Sequence, residues 1–156
     1  MLPFFEWCEA SALGQLVRTS VWLFPVIESI HLLGLASLGG AVLIVDLRLL
    51  GVALRDQPIA VLARGARPWL RWSLALMLTT GFLLFMSEAV KCYHNGSFWV
   101  KILTLPFALA FTFLVRQPVA LRDGVVTSWR TRLVAVVSIA LWFTVAAAGR
   151  WIGLSS

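Results

Sequence analysis

A glutamate and a histidine stand three residues apart, as Glu28-Ser29-Ile30-His31, inside a long apolar run. On a helix that spacing puts both side chains on one face. A carboxylate there can orient one imidazole nitrogen and leave the other for a proton, a metal or a cofactor. At 1.5 Å per helical residue, His31 lies roughly 15 Å below the start of the run, in the middle third of a hydrocarbon core about 30 Å thick. Ionisable groups at that depth face a protein interior or a wet cavity, not lipid.

Several chemistries could use such a pair. A di-metal carboxylate site needs two Glu-x-x-His motifs and two more inward carboxylates. The chain has one motif, and the only other deep-side carboxylate is Glu88. A Ser-His-Asp hydrolase fits poorly, because Asp46 and Asp123 fall at the opposite membrane face from His31. Asp46 is better read as an inner-surface partner of Arg48 or Arg71. A haem needs one proximal histidine, with histidine or methionine as a second ligand. Here His94 is shallow, in an outer loop, and Met77 and Met86 are on the second span. The absence of a second histidine at matching depth argues against a bis-histidine b-type cytochrome. For a haem, His31 is the candidate iron ligand.

Glu88, Lys101 and Arg150 fall on the same half of the membrane as Glu28 and His31. Together the five define a candidate cofactor-binding pocket. Lysine and arginine near span ends also snorkel to the interface without any other role. The competing explanation for Glu28 and His31 is an internal hydrogen-bonded pair that fixes helix packing.

These residues must be positioned by membrane spans. The chain has 156 residues, 60% hydrophobic and 13% charged, with mean hydropathy +0.91. A soluble domain could not hide that much apolar surface. Four apolar runs are long enough to cross: about 21–47, 69–90, 98–115 and 133–152. The expected fold is all-α, one four-helix transmembrane bundle with short interfacial helices and no separate soluble domain. Ser20 can cap the first span, with Pro25 in its second turn as a bend. Ser97 can cap the third, which Pro106 interrupts. The segment 58–66 has the apolar spacing of a short surface helix, and Phe4, Phe5 and Trp7 suggest another interfacial segment.

The pI near 10.7 does not indicate nucleic acid. Arg48, Arg55, Arg64, Arg67, Arg71, Arg116, Arg122, Arg130 and Arg132 all lie in or beside two connections, 48–71 and 116–132. That is the positive-inside pattern. It places both connections in the cytoplasm, and connection 91–97 and both termini outside, in a bacterial inner membrane. The segment 1–19 lacks signal-peptide features and is read as retained. Most of the eight tryptophans, among them Trp22, Trp69, Trp72, Trp99, Trp129 and Trp151, sit near span ends as an aromatic belt.

On the first span, Phe24, Glu28, His31, Gly34, Leu38 and Ala41 share a face, with Ser37 and Gly40 adjoining it. Small residues there allow close helix approach, so this face should point into the bundle. Cys8 and Cys92 both fall on the outer side. Two free thiols are preferred over a disulfide, which would require Cα atoms within roughly 7 Å.

FPVIESIHLLGLASLGGAVLIVDLRLLG, SEAVKCYHNGSFWVKIL and AGRWIG resemble a bacterial family of four-helix inner-membrane proteins built on a domain of unknown function. More remotely, His31 and the Phe98-Trp99-Val100-Lys101 start of the third span resemble two other groups. These are the copper-resistance D type membrane proteins and the four-helix, haem-containing protoporphyrinogen oxidases. The latter likeness implies that His31 ligates haem and that Lys101 has a functional role. This chain has no histidine at 113–116, and Glu28 and Glu88 lie outside that likeness.

Two classes of function follow. In the first, a haem- or quinone-associated redox protein, haem b or a quinone is bound through His31. Glu28 orients the imidazole or relays a proton, and Lys101 and Arg150 bind propionates or another anionic group. In the second, a non-enzymatic membrane subunit or ion-handling protein, the same charges form a structural network, with a membrane-complex partner or a second copy as its company. A proton or metal-ion pathway would need ionisable residues continuing through the inner half, and no matching chain of them is evident there.

Overall fold

The computed structural model describes residues 1–122 and 124–154; Asp123, Ser155 and Ser156 lie outside the described residues. Among the described residues every regular element is helical. In chain order these are α1 (Leu2–Ala10), α2 (Ala12–Thr19), α3 (Leu23–Leu50), α4 (Ile59–Ser87), α5 (Ala89–His94) and α6 (Gly96–Phe111). A π-helical turn, Thr112–Arg116, leads into α7 (Gln117–Leu121), and α8 (Trp129–Leu154) closes the fold. Four segments are long and apolar enough to cross a membrane: Leu23–Leu50, Ile59–Ser87, Gly96–Leu121 and Trp129–Leu154. The protein is an integral membrane four-helix bundle.

Local chemistry sets the ends of these spans. Ser20 Oγ accepts the Leu23 amide at 3.2 Å. Pro25 is the third residue of α3, not part of a second turn. Its missing N–H would have had no intrahelical partner there, so it requires no bend. Gly51 ends α3 with φ +73°, and an added Cβ would lie 3.0 Å from Thr127 Cγ2. Asn95, not Ser97, caps α6: its Oδ1 accepts the Ser97 amide at 2.9 Å. Nor does α6 stop at Pro106; the departure from α geometry comes later, at Thr112–Arg116.

The expected surface helix at 58–66 is instead the start of α4, which continues through Pro68. Ile59, Ala60, Ala63 and Leu70 are all buried, on both sides of the proline. One packed face therefore holds the helix in register where a backbone hydrogen bond is lost.

α3 packs against α4 and α8, and α6 packs against α8. Arg48 ties the two arginine-rich connections together at one end of the bundle. Its Nε donates to the Gln57 carbonyl at 2.7 Å, its Nη1 to Thr127 Oγ1 at 3.1 Å and its Nη2 to the Arg55 carbonyl at 3.2 Å.

Asp46 is not a surface partner of Arg48 or Arg71. It is fully buried, and its Oδ1 accepts from Arg116 Nε at 2.5 Å. Ser138 Oγ donates to its Oδ2 at 2.6 Å, and Arg116 Nη2 donates to the Val42 carbonyl at 2.8 Å. Arg116 thus belongs to the interior, not to a loop. The reason is desolvation: a carboxylate removed from water needs an adjacent cation, and Arg48 is already committed to loop carbonyls.

Gly34, Leu38 and Ala41 are buried as expected, but Ser37 and Gly40 point outward. Each lies about 100° of helix rotation from the buried residue that follows it, Leu38 and Ala41. The N-terminal segment is more than interfacial. Phe4 and Trp7 are exposed, whereas Phe5 is buried against the rings of Phe85, Tyr93, Phe98 and Trp99. Trp22, Trp69, Trp72, Trp129 and Trp151 are largely exposed, as side chains of an aromatic belt should be.

Candidate functional site

α3, α4, α6 and α8 enclose a cavity of about 480 Å³ away from the arginine-rich end. Glu28, His31, Glu88, Lys101 and Arg150 all line it. Most of the remaining wall is apolar, including Phe24, Leu35, Phe82 and Leu105. An apolar pocket of this size with a few converging polar groups is the usual form of a small-molecule site.

His31 lies eight residues into α3, about 12 Å from its start at 1.5 Å per residue. Its Nδ1 is 2.8 Å from Thr80 Oγ1. The Thr80 hydroxyl donates to the Leu76 carbonyl at 2.7 Å. A hydroxyl has one proton, so the Thr80 oxygen must accept from the imidazole, which places a proton on Nδ1. In the neutral ring, Nε2 then carries the free lone pair. Gly81 makes room for this ring, since a Cβ there would stand 3.2 Å from His31 Cε1.

The imidazole is therefore oriented by Thr80, not by Glu28 as the spacing on α3 suggested. Glu28 borders the same cavity, half-buried, one turn away. Among the described residues its carboxylate has no hydrogen-bond or ion partner. Thr80 could have been noticed as a hydroxyl in the middle of an apolar span. Its pairing with His31 depends on how α3 and α4 are registered, which spacing within one helix does not contain.

Lys101 reaches the cavity across α8. Its Nζ and Cε would lie 3.2 and 3.6 Å from a Cβ placed on Gly149. Glycine at 149 is what lets the ammonium pass so close to the α8 backbone. Among the described residues no carboxylate pairs with Lys101. Glu88 sits where α4 ends, 3.8 Å from Lys91, in a pair more than a third exposed that contributes little to stability. Arg150 is exposed at the cavity edge. At the floor, the Trp142 indole N–H donates to Thr112 Oγ1 at 2.9 Å.

Among the described residues no cluster of three His, Cys, Asp or Glu side chains has the arrangement of a metal-ion site. Cys8 and Cys92 are free thiols. They are buried in one cluster with Phe5, Met86, Ala89 and Phe98. Burial, then the charge of Glu88, pushes the Cys92 thiol up to about 11. These are packing cysteines, not reactive ones.

No curated protein and no solved structure matches this chain. The remoter likenesses to copper-resistance D type proteins and haem-containing protoporphyrinogen oxidases therefore gain no support from comparison. A family model does match, over residues 4–155, nearly the whole bundle including all five cavity-lining polar residues. The chain belongs to that family, described as Family of unknown function (DUF6644).

Proposed function

We propose that this integral membrane protein holds a redox-active small molecule, haem b or a quinone, in its four-helix cavity, with His31 as the contact residue. The observation that carries the reading is the hydrogen-bond chain from His31 Nδ1 through Thr80 to the Leu76 carbonyl. It fixes the ring and leaves Nε2 as an acceptor. A supported imidazole is how proteins present an axial ligand to haem iron, and equally how they accept a proton from a hydroxyl.

The residues suit a haem held through one axial nitrogen. His31 supplies that nitrogen, and Lys101 and Arg150 supply cations for propionates. The described residues bring no second imidazole to the cavity, since His94 is exposed on α5. Met77 packs in the α3–α4 seam, its Sδ 3.3 Å from a Cβ placed on Gly34. A haem bound there would supply one-electron chemistry. Glu28 would take up or release the accompanying proton.

The positive-inside rule supports an orientation in a bacterial inner membrane. The end tied together by Arg48 faces the cytoplasm, and both termini face outward. A reporter fused to the C-terminus reads out this orientation, and cytoplasmic activity contradicts it.

The second reading is a non-enzymatic membrane subunit or ion-handling protein, alone, as a homo-oligomer or in a larger complex. It is favoured by the Asp46–Arg116–Ser138 cluster, which shows that this bundle uses buried charge for packing. Purified protein from cells supplied with haem separates the two. A Soret band, or a quinone in the organic extract, supports the redox reading. A colourless preparation with an empty extract supports the structural one.

A further inference from the structure

The four seams of the bundle are not equal. α3–α4, α6–α8 and α3–α8 are packed, but no comparable seam joins α4 to α6. At one end these two helices meet through the stacked rings of Phe85 and Phe98, with centroids 5.6 Å apart. At the arginine-rich end α4 meets the third span through α7, where Ala120 packs with Ile59 and Ala63. Between these points lie Leu78 and Phe82 on α4 and Ile102 on α6. All three line the cavity, and they are 47, 56 and 42% exposed. A side chain that borders a cavity and also faces outward marks a rim. Both helices are spans, so this rim opens onto lipid acyl chains.

The N-terminal helices cover much of the end that faces water, leaving Arg150 exposed at its edge. Phe5 of α1 sits against Phe85, Tyr93, Phe98 and Trp99. Glu9 Oε2 accepts the Val90 amide at 2.9 Å, fastening α1 to α5. Gly14 of α2 lies so close to the Met86 carbonyl oxygen that a Cβ would stand 2.6 Å from it. The N-terminal helices are therefore fitted tightly over this end.

We propose that the cavity takes a lipid-tailed quinol that enters sideways from the bilayer between α4 and α6. Its hydroxylated ring lies at His31, and its tail leaves past Leu78, Phe82 and Ile102. The inference rests on reading His31 as a ligand-binding residue, and it selects among the ligands that reading allows. A quinol ring offers two hydroxyl donors. His31 Nε2 and the unpartnered Glu28 carboxylate are acceptors on one helix face, and the Lys101 ammonium faces the ring oxygens. An oxidised quinone offers carbonyls only and has nothing to donate to either acceptor. The reduced form is therefore the better ligand.

The test uses the full chain in lipid nanodiscs, with decylubiquinol and decylubiquinone as probes. Entry is followed by stopped-flow quenching of tryptophan fluorescence, since Trp142 lines the cavity. The double variant Leu78→Phe, Ile102→Phe crowds the rim; Leu103→Phe, on the outward face of α6, is the control. Decylubiquinol should bind at least fivefold more tightly than decylubiquinone. It should enter the rim variant at least fivefold more slowly than wild type or Leu103→Phe. Equal entry rates overturn the lateral route, and equal affinities overturn the assignment of the reduced head. Failure of decylubiquinol to bind overturns the whole inference. If that preparation nonetheless shows a His31-dependent Soret band, the redox reading of His31 stands without it. If it shows neither haem nor quinone, both fall.

Discussion

Thr80 Oγ1 lies 2.8 Å from His31 Nδ1 and passes the bond on to the Leu76 carbonyl. A backbone oxygen of α4 thus decides which nitrogen of an α3 histidine carries the proton. Thr80→Val keeps the side-chain shape and removes the acceptor. Imidazole ¹⁵N shifts should report a proton on Nδ1 in the wild type and a mixture of tautomers in the variant. Loss of such a supporting partner lowers ligand affinity by about 10–100-fold. Unchanged shifts in Thr80→Val would show that Thr80 does not set the tautomer.

Gly81 offers a test in which stability and binding move apart. Gly81→Ala gains helix propensity of about 1 kcal/mol. It also places a methyl 3.2 Å from His31 Cε1, so the ring must shift. Thermal unfolding in detergent should change little or improve, while ligand occupancy falls. Full occupancy in Gly81→Ala would mean that the position of the ring is not critical.

Asp46 and Arg116 form a deeply buried ion pair, at 0 and 2% exposure. Arg116→Leu leaves the buried Asp46 carboxyl without its cation, and breaking such a pair costs about 3–5 kcal/mol. The double variant Asp46→Leu, Arg116→Leu should recover a large part of that loss, because no lone charge remains. Unfolding temperatures of the three proteins in one detergent check this. Additive losses would remove the coupling.

The Cys92 thiol is raised from an ordinary value near 9 to about 11 by burial first and Glu88 second. A raised acid favours its protonated form in the folded state. The contribution to stability is full below pH 9 and is lost as pH rises through 11. Alkylation of folded protein at pH 8 should be slow at Cys92 and fast after denaturation. The decline in stability between pH 9 and 11 should be shallower in Cys92→Ala. Rapid labelling of folded protein would contradict the buried position.

Much of the fold was legible because apolar length alone identifies a span, and all four expected spans are present. The ends were less legible. Pro68 looks like a break in isolation, but the buried stripe Ile59, Ala63, Leu70 keeps α4 whole. Depth along the helices brought Glu28, His31, Glu88, Lys101 and Arg150 to one half of the bundle, and they do line one cavity. What spacing could not supply was partnership between helices. Thr80 with His31, Gly149 with Lys101 and Arg116 with Asp46 all arise from the register of one helix against another. Asp46 looked like a surface residue because it stands near a basic loop. Its place beside Val42 and Leu49 on the buried stripe was the signal to the contrary.

The central claim is that His31 holds a redox-active small molecule in the α3–α4–α6–α8 cavity. Native mass spectrometry of protein released from nanodiscs, wild type beside His31→Ala, tests it most directly. Wild type should carry a bound haem or quinone, and His31→Ala should lose it while keeping the same helical circular dichroism. An adduct of equal occupancy in both proteins, or none in either, would contradict the account.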